Sequence, residues 1–380
     1  MTTSMPPAVP FFPPGLFEAD RATLLDVVRE VGLDPEQEFI LGRRTAAFEE
    51  VLREDLDAAD VVACSSGTSA LSLVLRAMGV GPGDEVIVPA FGCAPLASSV
   101  VDTGATPVFA DIRPDTMTMD PDHAEHLVTA RTRAVMPAHM FSVMADMPRF
   151  VELAGRHGLR LLEDSAVAQG GVLRGVPAGL WGEAGVYSFV QVKTCGMPGE
   201  GGAVVTRDAE LGARVRMLRR HGQVPGRRFV HHAIGLNSRF DEIQAAFQTY
   251  RYRGFPARLA RRAEIAAYYT ERFTPLADRG VLPPPADPDG RCFYVYTVLA
   301  DARDALGARL AESGVATHVY YPLPLPAQRA FAPYAPPGVR WPRAEEAARR
   351  HLALPVHHML TDAQVEHVAD LVCGFADAHR

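Results

Sequence analysis

The chain has 380 residues and a formal net charge of −7, with 48% hydrophobic and 22% charged residues, which reads as a globular chain long enough for two domains with substantial cores. The acidic balance, with no basic stripe and no polybasic run, argues against nucleic acid or an anionic membrane as partner. No apolar run reaches the ~18 residues needed to span a bilayer.

The proline-rich first 14 residues predict an extended tail. Helical periodicity follows in "DRATLLDVVREVG" and in "RTAAFEEVLREDL", the latter with Phe48, Val51 and Leu52 on one face. From residue 60 the pattern is α/β. "DVVAC" reads as a buried strand, "SSGTSALSLVLRAMGV" as a helix opening on small polar residues, and "GPGDEVIVPAF" as a turn and strand. Then come helix "APLASSVVDTG", strands "TPVFADI" and "RAVMPAHM", helix "MPRFVELAGRHG" and strand "LRLLEDSA". Strands "AGVYSFV" and "GGAVVTRD" flank Lys193. This alternation predicts a mostly parallel sheet covered on both faces. "AELGARVRMLRRHG" reads as a helix. A long helical stretch starts at "LNSRFDEIQAAF" and breaks near Gly254–Pro256. After the linker "LPPPADPDGRC" come strand "FYVYTVLA", helix "RDALGARLAESG", strand "VATHVYY" and a last helix "DAQVEHVADLVCGFAD", which predict a smaller α+β domain.

The five cysteines, at 64, 93, 195, 292 and 373, are odd in number and form no CxxC pair. That points to a reducing compartment and against a disulfide framework or a zinc site. The opening "MTTSMPPAVPFFPPG" lacks the basic and apolar regions of a secretory signal, so a cytoplasmic location is expected. The adjacent pairs His231–His232 and His357–His358 would point to opposite faces if extended, so no metal site is expected from them.

Three features carry chemistry. "CSSGTSAL" places Ser66, Gly67, Thr68 and Ser69 at a strand-to-helix junction, where free backbone N–H groups bind anions; an ordinary N-cap is the plainer reading of the same residues. "LRLLEDSA" ends an apolar strand in Glu163 and Asp164, at the strand end where ligands of open α/β sheets sit, although Asp164 could equally cap the next turn. Lys193, between an apolar run and a glycine-rich turn, is either a solvated strand end or an amine partly withdrawn from water and nucleophilic toward carbonyls. Anion cradle, strand-end acid and amine, in that order, match what pyridoxal phosphate requires: donors for the phosphate, an acid for the pyridine nitrogen and an amine for the aldehyde.

The ordered pieces "SSGTSALSLVLRAMGVGPGDEVIVPAF", "GATPVFADI", "RTRAVMPAHM", "EDSA", "SFVQVK", "GEGGAVVT", "LRRHGQ" and "GLNSRFDEIQAA" resemble the DegT–StrS type aminotransferases, the sugar-aminotransferase branch of fold type I pyridoxal-phosphate enzymes. The resemblance covers nearly the whole chain. It implies an α/β fold type I transferase with a mostly parallel seven-stranded sheet flanked by helices. It further implies an N-terminal segment over 1–30, a large cofactor-binding domain over 31–255 and a small α+β domain over 256–380. Lys193 is implied as the amine that carries the cofactor and then serves as the base, and Asp164 as the acid that keeps the ring nitrogen protonated. Gly67, Thr68 and Ser188 are implied as phosphate binders. Asn237 is implied to reach across a homodimer to the partner's cofactor phosphate, with Arg239 close by for substrate. The implied reaction moves an amino group from an amino acid, commonly glutamate, to a nucleotide-linked keto sugar or a related cyclic ketone.

The chain departs from the family pattern around the cofactor ring and the substrate mouth. After "VIVPAF" the family has Thr and a stacking aromatic residue, whereas this chain has Gly92 and Cys93. Three residues after the Asp the family has Gln or His, and here Val167. The segment "HYPxPLH" is "YYPLPLP", with Tyr320 and Pro326 at the histidine positions, and the resemblance implies Tyr320 and Tyr321 as substrate residues. These departures bear on the substrate more than on the cofactor. They motivate one alternative, a cofactor-dependent elimination or cyclisation. A non-catalytic regulator on the same fold is a second; retention of Lys193 and Asp164 counts against it.

Overall fold

Seven short, largely buried runs pair edge to edge into one sheet. They are β1 (Asp60–Cys64), β2 (Glu85–Pro89), β3 (Thr106–Ala110), β4 (Thr132–Val135), β5 (Arg160–Asp164), β6 (Ala184–Ser188) and β7 (Gly202–Thr206), in the spatial order β1-β7-β6-β5-β4-β2-β3. The computed structural model describes residues 8–287 and 289–378, so the first half of the expected tail lies outside the described residues. Strands β2 to β6 pair in parallel, and β7 runs antiparallel to both of its neighbours. Val86, Ile87 and Val88 are fully buried in succession, as a sheet covered on both faces requires.

The coverings are α1 (Arg21–Gly32), α2 (Arg43–Leu56), α3 (Gly67–Ala77), α4 (Pro95–Asp102), α5 (Pro121–His126), α6 (Met147–His157), α7 (Ala209–Leu218) and α8 (Glu242–Tyr252). One core joins Val62, Leu73, Val88, Phe91 and Val186. A second gathers Ile265, Tyr269 and Phe273 of α9 (Phe255–Phe273) against a three-stranded antiparallel sheet, β8 (Val281–Leu282), β9 (Tyr296–Ala300) and β10 (His351–Leu354). Helices α10 (Arg303–Glu312) and α12 (Asp362–Ala378) complete it. Helix α11 (Pro342–Arg350) belongs with the first core instead: Trp341 Nε1 donates to Phe109 O at 2.8 Å, and the amides of Arg343 and Ala344 donate to the Asp111 carboxylate.

Two expected elements differ. "VATHVYY" is not a strand; only Val315 and His318 form single bridges, to Val9 and Ala353. The prolines at 322, 324 and 326 supply no ladder donors, and Tyr320 and Tyr321 turn instead into an aromatic cluster with Phe91 and Phe141. Residues 236–241 are not helical but extended, with bridges Arg220 to Asn237 and Ile40 to Asp241, and α8 starts only at Glu242. No helix among the described residues is long and apolar enough to cross a membrane.

Candidate active site

The direction of the strands brings three strand ends to one edge. Because β7 is antiparallel to both β1 and β6, the carboxyl ends of β1, β5 and β6 point the same way, and Cys64 and Ser188 both pair with Gly202. A Cβ on Gly202 would lie 2.6 Å from the amide nitrogen of Gly67, so only glycine lets β7 lie this close to the start of α3. Ser66 caps α3, accepting from the amide of Ser69 at 3.1 Å. The amides of Gly67 and Thr68 have no acceptor among the described residues and face the same space as Ser188. The cap thus serves Ser69 and leaves two amides open.

That space is a cavity of about 210 Å³. Gly67, Thr68, Cys93, Asp164, Val167, Ser188, Lys193 and Tyr321 line it. Asn237, Arg239 and Tyr320 do not. Asn237 is exposed and accepts from Arg239 Nε at 2.9 Å, and Tyr320 stands behind Tyr294, their hydroxyls 3.3 Å apart. Gly92, at φ 156°, stands where a side chain would strain the backbone and displace Leu96 Cδ1, 2.6 Å from a Cβ built there. Cys93 follows with its surface open to the cavity, and burial together with the Asp164 carboxylate pushes its thiol above the ordinary 9.0.

Asp164 is 7% exposed and accepts one local hydrogen bond, from the amide of Ala166 at 3.1 Å. Burial raises its pKa from 3.8, opposed by the Ala166 amide, Lys193 and His139. Its neighbour Glu163 points to the other face and is fully buried. There the carboxylate accepts from the amides of Gly179, Trp181 and Gly182 and meets His139 Nε2 at 3.2 Å. The amide of Ala145 donates to His139 Nδ1, which assigns the proton to Nε2 and makes it the donor to Glu163. His139 also bonds through its backbone to Asp164 O, so the pair pins the strand end from behind.

Several lining residues escaped the sequence reading: His139, Phe141, Glu200 and Tyr294. Phe141 sits in the left-handed region at φ 54°, its ring stacked on Tyr321 at 5.7 Å. The Tyr321 amide donates to Nε2 of His351, whose Nδ1 donates to Ala347 O; burial lowers that imidazole to about 4, so it stays neutral. A count of lysines would have sharpened the reading. Lys193 is the only lysine of the chain, and every other residue in the Lys plus Arg total of 38 is arginine.

A doubly covered, mostly parallel sheet carries an amine, an acid and open helix amides at its strand ends, where open α/β sheets hold their ligands. The chain belongs to the DegT/DnrJ/EryC1/StrS aminotransferase family, whose model matches residues 21–373. It is 40% identical over 339 residues to a pleiotropic regulatory protein of Geobacillus stearothermophilus, covering 89% of this chain and 90% of that one. It is 39% identical over 341 residues to the dTDP-3-amino-3,4,6-trideoxy-alpha-D-glucose transaminase of Streptomyces venezuelae, covering 89% of each. Among solved structures, S. venezuelae DesV in complex with a ketimine intermediate superposes with a TM-score of 0.92 at 38% identity, over 98% of this chain and 99% of that one. NtdA of Bacillus subtilis with bound cofactor PMP gives 0.91 at 26% identity, over 99% and 87%.

Proposed function

We propose that this aminotransferase uses pyridoxal phosphate to carry an amino group from an amino acid, glutamate foremost, to a nucleotide-linked keto sugar. The observation that carries the reading is the convergence on one cavity of a lysine amine, a buried carboxylate with a single local donor, and two open helix amides. This donor set fits the cofactor. The amides of Gly67 and Thr68 and the hydroxyl of Ser188 would hold its phosphate at the positive end of α3. Asp164, disfavoured as an anion by burial, would gain a cationic partner in a protonated ring nitrogen and would hold that proton in place. When bound, the cofactor supplies the electron sink and the nitrogen carrier. Lys193 Nζ is the base that takes the proton from Cα of the donor. Leu96, Met140, Phe141 and Tyr321 wall the cavity and keep water from the reacting atoms.

The acceptor class is supported by the dTDP-sugar transaminase relative. The exposed apolar segment with Phe229 and Ile234, next to an Asn237 that stays outside its own cavity, supports a homodimer with shared sites. Five free cysteines support a cytoplasmic setting. The regulatory name of the Geobacillus relative motivates a second reading, a cofactor-binding regulator. The two half-reactions separate them. An enzyme should release an oxo acid from one amino acid of a panel, with a change in cofactor absorbance, and then return the starting spectrum when given a dTDP- or UDP-linked keto sugar. A protein that binds the cofactor and converts no amino acid would overturn the proposal.

A further inference from the structure

We propose that Tyr294 is a positioning residue for Lys193: its ring face is the platform on which the ammonium rests whenever the lysine is not bound to the cofactor. The inference builds on the reading of Lys193 as the cofactor-carrying amine. Nζ lies 4.4 Å from the centroid of the Tyr294 ring, within the range of a cation–π interaction. It forms no hydrogen bond and no ion pair with any described residue, although Asp164 and Glu200 line the same cavity.

Tyr294 is held at its ring by Tyr320 and at its backbone by Arg262. Its hydroxyl meets that of Tyr320 at 3.3 Å, and the two rings stand edge to face with centroids 6.0 Å apart. Its carbonyl accepts from Arg262 Nη1 at 3.0 Å, and the same nitrogen donates to the carbonyls of Phe293 and Val356. Arg262 is 6% exposed and has no carboxylate partner among the described residues, so its buried guanidinium serves to fix backbone. Residues 293–294 are thereby tied to α9, and the ring is presented to Lys193 at a set height.

An aromatic face suits this task better than a carboxylate. It attracts the ammonium through the ring quadrupole yet offers no lone pair that would lock the amine in an ion pair. The lysine can therefore rest against the ring and still swing away from it within the cavity.

Because Lys193 is the only lysine, amine-directed labelling reads it alone apart from the chain's α-amino group. In the cofactor-free protein at fixed pH, reductive methylation of Lys193, followed by mass mapping, should be roughly three- to tenfold faster in Tyr294→Leu than in the unsubstituted protein. Tyr294→Phe keeps the face and should stay within about twofold of the unsubstituted protein. If the leucine variant misfolds, phenylalanines with increasing ring fluorination at position 294 keep the volume and weaken only the quadrupole, and labelling should then speed up with each fluorine. A leucine variant labelled no faster than the unsubstituted protein, or a flat fluorine series, overturns the proposal. The measurement needs no cofactor, so its failure is distinct from a failure of the half-reactions.

Discussion

Glu163 and Asp164 are adjacent in one strand and live under opposite conditions. Glu163 is buried among four donors, whereas Asp164 is buried with one local donor and its pKa is raised. The raised value means that the folded chain holds the proton more tightly than the unfolded chain. In the cofactor-free protein Asp164 therefore costs nothing below 3.8, and stability falls as pH rises from there to the folded-state value, after which the cost is constant. Asp164→Asn should accordingly raise the Tm of the cofactor-free protein at neutral pH while cutting kcat of the loaded enzyme. A lower Tm in that variant would show that the carboxylate is mainly a turn cap. Glu163→Gln should do the reverse, losing about 2–3 kcal/mol in urea unfolding, because an amide N–H₂ would face backbone N–H donors. At this scale the sequence was partly legible. Lys193 and Asp164 stand in local patterns that betray a strand end and a turn. Tyr294 and His139 stand in plain apolar strings, and their importance comes from partners far away in the chain, which no local pattern encodes.

Helix α2 shows how a helix can be stable without its own cap. Its N-cap is Gly42, which has no side chain to offer. The carboxylate of the buried Glu242, at the start of α8, accepts from the amides of Gly42, Arg44 and Thr45 and from the Thr45 hydroxyl. Glu242→Ala would orphan three amides in a dry site, so urea unfolding should show a loss of at least about 3 kcal/mol, with Glu242→Gln intermediate. A loss below about 1 kcal/mol, the value of one surface ion pair, would show that water replaces the carboxylate. The periodicity that marked α2 and α8 separately said nothing of this link. The strands of the large sheet were legible because each is a short apolar run bounded by turn residues. Residues 315–321 had the same look and form no strand, since their aromatic side chains are claimed by Phe91 and Phe141. Strand β10 went unseen because "HLAL" is too short to show a period, and it exists through its pairing with β9.

On the scale of the whole molecule, the residues that stay outside the cavity are the informative ones. Asn237 is exposed, while Phe229 and Ile234 of the preceding segment are 76% and 85% exposed, and Phe39 and Ile40 lie bare where Ile40 bridges Asp241. Large apolar side chains grouped in this way mark a contact surface. In a two-fold dimer each chain would cover the other's segment and bring Asn237 to the other's open amides. Complementation decides whether that is so. Lys193→Ala and Asn237→Ala should each be impaired as pure homodimers. In a mixed dimer with shared sites, one site loses both residues and the other keeps both. Random exchange should then restore about a quarter of the unsubstituted activity, since half of the dimers are mixed and one site in each is whole. If Asn237 served its own chain, every site in the mixture would lack one residue and no activity would return. Phe229→Glu with Ile234→Glu separates assembly from folding: it should give a folded monomer by light scattering, with the Tm lowered and activity lost, and a dimer that survived both charges would place the interface elsewhere.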